Sequence, residues 1–294
     1  MRKRAICPGS MGELVQGFRE GKEVLISLPI DRYSEMEVIW QEEKRGKEKR
    51  NILWKSEKAL EIALREWGME HLVGQVAFRR LREIPEGKGL ASSTADIAAL
   101  LGALARLLGR SLREEEIARI ALQVEPTDGV FFSELSVFDH LEGQVKLSLP
   151  LPRYLGVVVV ELPGKRDTLT LDREKLRKNW ERHRRDVEEA FYLVERGLEE
   201  GDLSLVGRGA TLSGEIVQEA EKEDLWEKVI SLYREIGAVG VNRAHTGRAL
   251  GILFDRRVYA PQEMLSRVRE ALKGEEVKIE VNAVISGGVR VVEL

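Results

Sequence analysis

The chain has 294 residues, 43% of them hydrophobic, which is enough for a sizeable core and for two compact domains. Basic and acidic residues nearly balance, and a formal charge of −3 favours neither nucleic acid nor an anionic membrane as partner. The single cysteine, Cys7, excludes an internal disulfide framework; no apolar run follows the basic N-terminus as a signal peptide would have, and "LGVVVVEL" (155–162) is too short to span a membrane, so a soluble cytoplasmic protein is expected.

In chain order, "EVLISLPI" (23–30), "EMEVIW" (35–40) and "VGQVAFRRL" (73–81) read as strands. Between them the charged run "QEEKRGKEKR" (41–50) reads as a solvated hairpin tip or loop. A helix fits residues 56–68, with Ser56 as cap and Gly68 as stop. Ile97, Leu100, Leu101, Leu104 and Leu108 mark one face of a second helix ending near Gly109, and "SLREEEIARIAL" (111–122) opens a third with a capping box from Ser111 to Glu114. Pro150 and Pro152 mark the preferred domain boundary. Beyond it come the strand "LGVVVVEL", a long charged helix over about 172–200, two helices to about 236, a strand at "AVGVNRAH", the segment "TGRALGILFD", a helix at 261–272 and two closing strands. Strands and helices mix in both halves without steady βαβ alternation. That predicts two α+β domains, 1–152 and 153–294, rather than a doubly wound sheet.

The stretch "IPEGKGLASSTADIAA" (84–99) crowds glycine, alanine and hydroxyl residues where the second helix must begin. A helix N-terminus carries unpaired N–H groups and partial positive charge, and small residues in front of it let a bulky anion approach. A capped helix with a flexible lead-in is the plainer alternative, and the Ser93-to-Asp96 spacing fits such a cap. The stretch is neither G-x-x-x-x-G-K-[ST] nor G-x-G-x-x-G, so the classical P-loop and dinucleotide readings are set aside.

"PEGKGLASSTA" resembles the central phosphate loop of the GHMP kinases (galactokinase, homoserine kinase, mevalonate kinase and relatives). "CPGSMGELVQG" (7–17) is similar to that family's N-terminal motif, which lines the acceptor site, and "AHTGRALGILF" (244–254) to its C-terminal motif. Three ordered matches span essentially the whole chain. The resemblance implies the two-domain GHMP kinase fold, a nucleotide-binding α+β domain followed by a ferredoxin-like α+β domain. It implies ATP as phosphoryl donor with Mg²⁺, and phosphate binding by Gly87, Lys88, Gly89, Leu90, Ala91, Ser92, Ser93 and Thr94. Ser10, Gly12, Glu13, Thr246 and Gly247 would line the acceptor site. Ala91 replaces the commoner glycine, a change tolerable if its φ stays negative. His245 stands where many relatives have lysine, and Arg248 enters a usually small stretch.

Phosphoryl transfer needs a metal site, donors around the phosphates and a group to position the acceptor hydroxyl. By resemblance Ser93 is the metal-side hydroxyl, and Glu125, in "VEPTDGVFF" (124–132), is a suitable oxygen ligand for Mg²⁺. Asp128 is the candidate base or orienter; a Pro-Thr-Asp-Gly surface turn is its plain alternative.

The strongest resemblance is to the L-threonine kinases of adenosylcobalamin synthesis, at "SMGELVQG", "GKGLASSTADIAA", "EPTD", "FDH" and "GATLSGE". It implies transfer of the ATP γ-phosphoryl group to the hydroxyl of free L-threonine. Glu13, Asp31 and Asp139 are candidates for the ammonium, and Arg243 or the backbone at Thr246–Gly247 for the carboxylate. Rival readings are a GHMP kinase for homoserine or an isoprenoid alcohol, and a nucleotide-binding regulator without turnover. The four histidines share no metal-ligand spacing, which argues against zinc. His183 is expected to face solvent and His140 to buttress Asp139. The basic cluster 175–185 is flanked by acids and reads as a solvated helix face, not a nucleic-acid site. A homodimer is left open.

Overall fold

The structure is a computed structural model that describes residues 1–41, 53–166, 171–245 and 247–293. Its centre is one antiparallel hairpin, β1 (Arg2–Arg19) and β2 (Lys22–Trp40), turned at Glu20 and Gly21, both with positive φ as a tight two-residue hairpin requires. Sequence patterning finds β2 in two pieces and misses β1, because Pro8, Gly9 and Gly12 read as loop. Register shifts at Pro8/Gly9, Ser10/Glu13 and Glu13/Val15 absorb these residues within the pairing.

The remaining strands are β3 (Val76–Arg82), β4 (Leu135–Asp139), β5 (Val145–Leu149), β6 (Leu155–Glu161), β7 (Gly240–Arg243), β8 (Ala249–Asp255), β9 (Lys278–Ala283) and β10 (Arg290–Val292). Those described strands join one sheet in the order β5-β4-β2-β1-β7-β8-β6-β9, with β3 on β2 and β10 on β1. Between Leu149 and Leu155 the chain leaves β5 at one end of that path for β6 near the other, across Pro150 and Pro152. The β7-β8-β6-β9 portion, antiparallel throughout and connected β-α-β-β-α-β, is the ferredoxin-like arrangement expected of the second half.

Eight described helices cover the sheet: α1 (Trp54–Glu66), α2 (Ser92–Leu107), α3 (Glu114–Leu122), α4 (Arg173–Arg182), α5 (Arg184–Glu200), α6 (Leu203–Ala220), α7 (Trp226–Glu235) and α8 (Pro261–Ala271). The second of them, α2, is buried on nearly every side, consistent with its alanine- and leucine-rich sequence. It packs on β1 and β2.

Three helix starts differ from expectation. The first helix begins at Trp54, so Ser56 lies buried in its first turn rather than capping it. The third begins at Glu114 with Arg113 as its cap residue; no side-chain cap bond forms, and Glu114 instead accepts from the Ser133 backbone N–H at 2.8 Å. Ser93 does not cap α2 either, because the helix already starts at Ser92. Asp96, the supposed partner, takes a hydrogen bond from Ser34 Oγ at 2.5 Å and one from Arg80 Nη1 at 2.8 Å, pinning the helix to β2 and β3.

The long helix expected over 172–200 is two helices bent at His183, which ties to Asp186 and Glu219 at 3.1 and 3.0 Å. The bend allows α5 to pack along α6 while Trp180 on α4 stacks on His245. Periodicity passes smoothly through His183, so sequence alone does not show the break. The charged run at 41–50 lies, beyond Gln41, outside the described residues.

Candidate active site

A cleft of about 330 Å³ opens where the N-terminus of α2 meets the segments 125–128 and 163–166. One wall is the stretch from Glu86 to Thr94. Gly87, Gly89 and Ala91 have φ of 72°, 73° and 57°, and the residues between them are not left-handed. Such alternation turns successive backbone N–H groups toward one side, a concave nest suited to phosphate oxygens. The negative φ expected at Ala91 is therefore corrected: the nest demands a left-handed residue there, and alanine accepts the strain.

The loop is locked from behind. A Cβ placed on Gly247 would stand 2.0 Å from Gly89 N and 2.0 Å from the Lys88 carbonyl carbon, so the C-terminal motif touches the loop backbone to backbone. Arg166 N donates to Gly87 O at 2.9 Å, and the Lys88 ammonium donates to Leu162 O and to Gly164 O, the latter at 2.7 Å. The Lys88 side chain thus holds the connector after β6, whereas Lys165, Arg166 and Arg173 bring cationic side chains to the cleft. Thr246 lies outside the described residues.

At the base of the cleft Lys55 Nζ donates to Glu125 Oε2 at 2.7 Å and to Ser93 Oγ at 3.2 Å. Glu125 is only 7% exposed, and its other oxygen, Oε1, is buried without a partner among the described residues. Thr94, buried, turns away from the loop; its hydroxyl meets Thr127 Oγ1 at 2.8 Å and accepts from the Asp128 backbone N–H at 3.2 Å. Burial, reinforced by the Glu125 charge and only partly offset by Thr94, raises the Asp128 carboxyl to about 7. A carboxyl poised there exchanges a proton readily near neutrality.

Of the residues expected to line the acceptor site, Ser10, Gly12, Glu13 and Gly247 do not line this cleft; they pack behind it. Ser10 and Glu13 are buried in β1, Ser10 N donates to Leu90 O at 3.1 Å, and Gly12 packs against the backbone of Arg243 and Ala244. Burial first, then the Asp128 charge, push the Glu13 carboxyl well above the usual carboxylate range, which favours its neutral acid. Asp31 and Asp139 are engaged elsewhere. Asp31 accepts from Asn282 and the Ala283 N–H, and Asp139 accepts from the N–H groups of Leu141 and Glu142. Arg243 is buried against Gln218 (2.9 Å) and over the Trp226 ring rather than lining the cleft. His183 is partly covered through Asp186 and Glu219, and His140, expected to buttress Asp139, instead faces Glu23 at 3.7 Å and packs edge-on against His245 at 5.0 Å.

The sequence model of the family described as GHMP kinases N terminal domain matches residues 51–134. The chain is 30% identical over 288 residues to an L-threonine kinase of Salmonella typhimurium, covering 97% of this chain and 94% of that protein. It is 31% identical over 253 residues to an L-threonine kinase of Citrobacter freundii, covering 86% of each. The chain belongs to the GHMP kinase family. Solved structures agree in fold: a homoserine kinase from Cytophaga hutchinsonii superposes with a TM-score of 0.76 at 15% identity, covering 99% of this chain and 97% of that one. A mevalonate kinase gives 0.73 at 15% identity, over 97% and 99%.

This GHMP kinase is accordingly a phosphotransferase with an alcohol acceptor, in a family that generally uses ATP and Mg²⁺. The cleft gathers Ser92, Ser93, Glu125 and Asp128 as the sequence led one to expect. Sequence reasoning missed Lys55, Arg166 and Arg173, each reaching the cleft from an element far away in the chain. Beside Lys55, Trp54 lines the rim at 45% exposure. Among the described residues no helix is long and apolar enough to cross a membrane, and no cluster of three His, Cys, Asp or Glu side chains is placed to hold a metal.

Proposed function

We propose that this GHMP kinase transfers the γ-phosphoryl group of ATP to the side-chain hydroxyl of free L-threonine, yielding O-phospho-L-threonine and ADP for cobalamin synthesis. The observation that carries this reading is end-to-end similarity to two L-threonine kinases, with the cleft residues of a phosphotransferase in place.

The nest from Gly87 to Thr94 and the N-terminus of α2 would receive the phosphates, with Lys165 and Arg166 adding positive charge. The donor set suits Mg²⁺: a hydroxyl and a carboxylate with one unpartnered buried oxygen, both hard ligands. Ser93 and Glu125 would hold the ion, which when bound neutralises phosphate charge. Lys55 keeps one Glu125 oxygen in place and leaves Oε1 available. Asp128, when ionised, orients the threonine hydroxyl and takes its proton as the oxygen bonds to phosphorus and the bond to ADP breaks. Gly247 closes the loop from behind, and the N-terminal motif supports it through Ser10, which donates to Leu90 O, and Gly12, which packs on the Arg243–Ala244 backbone. Residues 1–152 and 153–294 serve as the two working units, and the protein is read as cytoplasmic with small-molecule partners.

ADP release from Mg²⁺-ATP with L-threonine, L-serine, L-homoserine and mevalonate offered separately tests the proposal. Release with threonine, and phosphothreonine by mass, is the expected result. Release only with another acceptor overturns the substrate; binding of ATP with no release in any case favours a non-catalytic role.

A further inference from the structure

Besides Glu125 Oε1, two buried polar atoms of side chains that line the cleft, one a donor and one an acceptor, have no partner among the described residues. The first is Nη2 of Arg173, the opening residue of α4, whose side chain lines the cleft. The second is Nε2 of His245, in the turn after β7.

His245 is 7% exposed and its ring is fixed on three sides. It stacks on Trp180 with centroids 6.2 Å apart and planes at 17°, His140 meets it edge-on, and Gln16 Oε1 contacts Nδ1. With an amide oxygen facing Nδ1, that nitrogen carries the ring proton, and Nε2 presents a lone pair. Burial, with the nearby His140, Arg173 and Arg243, holds the ring well below the usual histidine range and so neutral. A buried acceptor and a buried guanidinium nitrogen left unpaired each carry a desolvation cost that a ligand removes.

Resting on the acceptor reading above, we propose that these two groups read the amino acid's backbone: Arg173 takes its carboxylate, and the Gln16-fixed His245 accepts through Nε2 from its ammonium. Of the acceptors considered for that ammonium, Glu13, Asp31 and Asp139 do not line the cleft, whereas His245 does. Arg243 is buried against Gln218 and Arg166 is paired with Glu221 and Glu223, which leaves Arg173 as the guanidinium for the carboxylate. A neutral imidazole and a permanent cation side by side also disfavour a second cation, which selects a zwitterion over a diamine.

The test uses L-threonine and two relatives that each lack one charge, (R)-1-aminopropan-2-ol without the carboxylate and (R)-3-hydroxybutanoate without the amine. Affinity is read as KM, or as the inhibition constant against threonine where a relative is not phosphorylated. Arg173→Met is expected to weaken threonine and hydroxybutanoate by about tenfold to a hundredfold while leaving aminopropanol unchanged. His245→Phe, which keeps the ring on Trp180, is expected to weaken threonine and aminopropanol and leave hydroxybutanoate unchanged. Equal losses for all three ligands in either variant, or no loss for any, overturn the inference while threonine remains the substrate. A wild-type enzyme that phosphorylates no amino acid overturns the acceptor reading and this inference with it.

Discussion

Lys55 Nζ lies 2.7 Å from Glu125 Oε2, so an ammonium from the first helix neutralises the carboxylate that presses on Asp128. The three side chains form an electrostatic chain. Glu125 raises the Asp128 carboxyl and Lys55 limits how far. Replacing Glu125 with Gln should lower the acidic midpoint of the kcat/KM profile by about one unit, while Lys55→Met should move it upward. A pH profile of each variant at saturating Mg²⁺-ATP decides; midpoints that stay in place would separate Asp128 from the observed titration.

Asp128→Asn should lower kcat by about a hundredfold to ten-thousandfold and leave the Kd for ATP nearly unchanged, because the proposed role of the group is on the acceptor. The same change bears on stability. A carboxyl raised from 3.8 to about 7 binds its proton more tightly in the folded state, so wild-type stability falls as pH rises between those values. The asparagine variant escapes that fall. Its Tm in the absence of ligands should exceed wild type at pH 8, and the advantage should shrink toward pH 4. A variant no more stable at pH 8 than at pH 4, relative to wild type, contradicts the raised carboxyl.

Gly247→Ala places a methyl group 2.0 Å from the backbone of Gly89. Backbone cannot rotate aside as a flexible side chain can, so the loop must shift. The expected outcome is a loss of about 1–3 kcal/mol in stability and a raised KM for ATP, with threonine affinity less affected. Denaturant unfolding and steady-state kinetics on one preparation check both parts.

Lys88→Met removes the donor shared by Leu162 O and Gly164 O. If the side chain only ties the connector to the loop, stability should fall by about 1–3 kcal/mol while ATP affinity changes little. A large loss of ATP affinity at unchanged stability would instead put the ammonium on the phosphates.

How much was legible before folding varied with the kind of interaction. Most helix and strand patterns from β2 to α8 follow from periodicity, the exceptions being β4, β5 and the break between α4 and α5, and the phosphate loop stands out because glycine and small residues before a buried helix have few structural uses. The strand β1 was hidden, since Pro8, Gly9 and Gly12 break its pattern and only pairing on both sides rescues it. Capping boxes at Ser93 and Ser111 also misled: a local spacing shows which bond is geometrically available, not whether a distant Ser34, Arg80 or Ser133 takes the carboxylate first.

By itself the sequence determined the α+β composition and the three ordered motifs, and through their resemblance it offered Ser93, Glu125 and Asp128 as candidates, because those depend on contiguous residue types. Only the tertiary structure decided the left-handed Ala91, the Lys55–Glu125 pair and the meeting of Arg173 with His245 at one cleft. Charge, burial and unsatisfied hydrogen-bonding capacity are properties of what surrounds a group. For these residues the surroundings arrive from 70 or more positions away, as between Lys55 and Glu125.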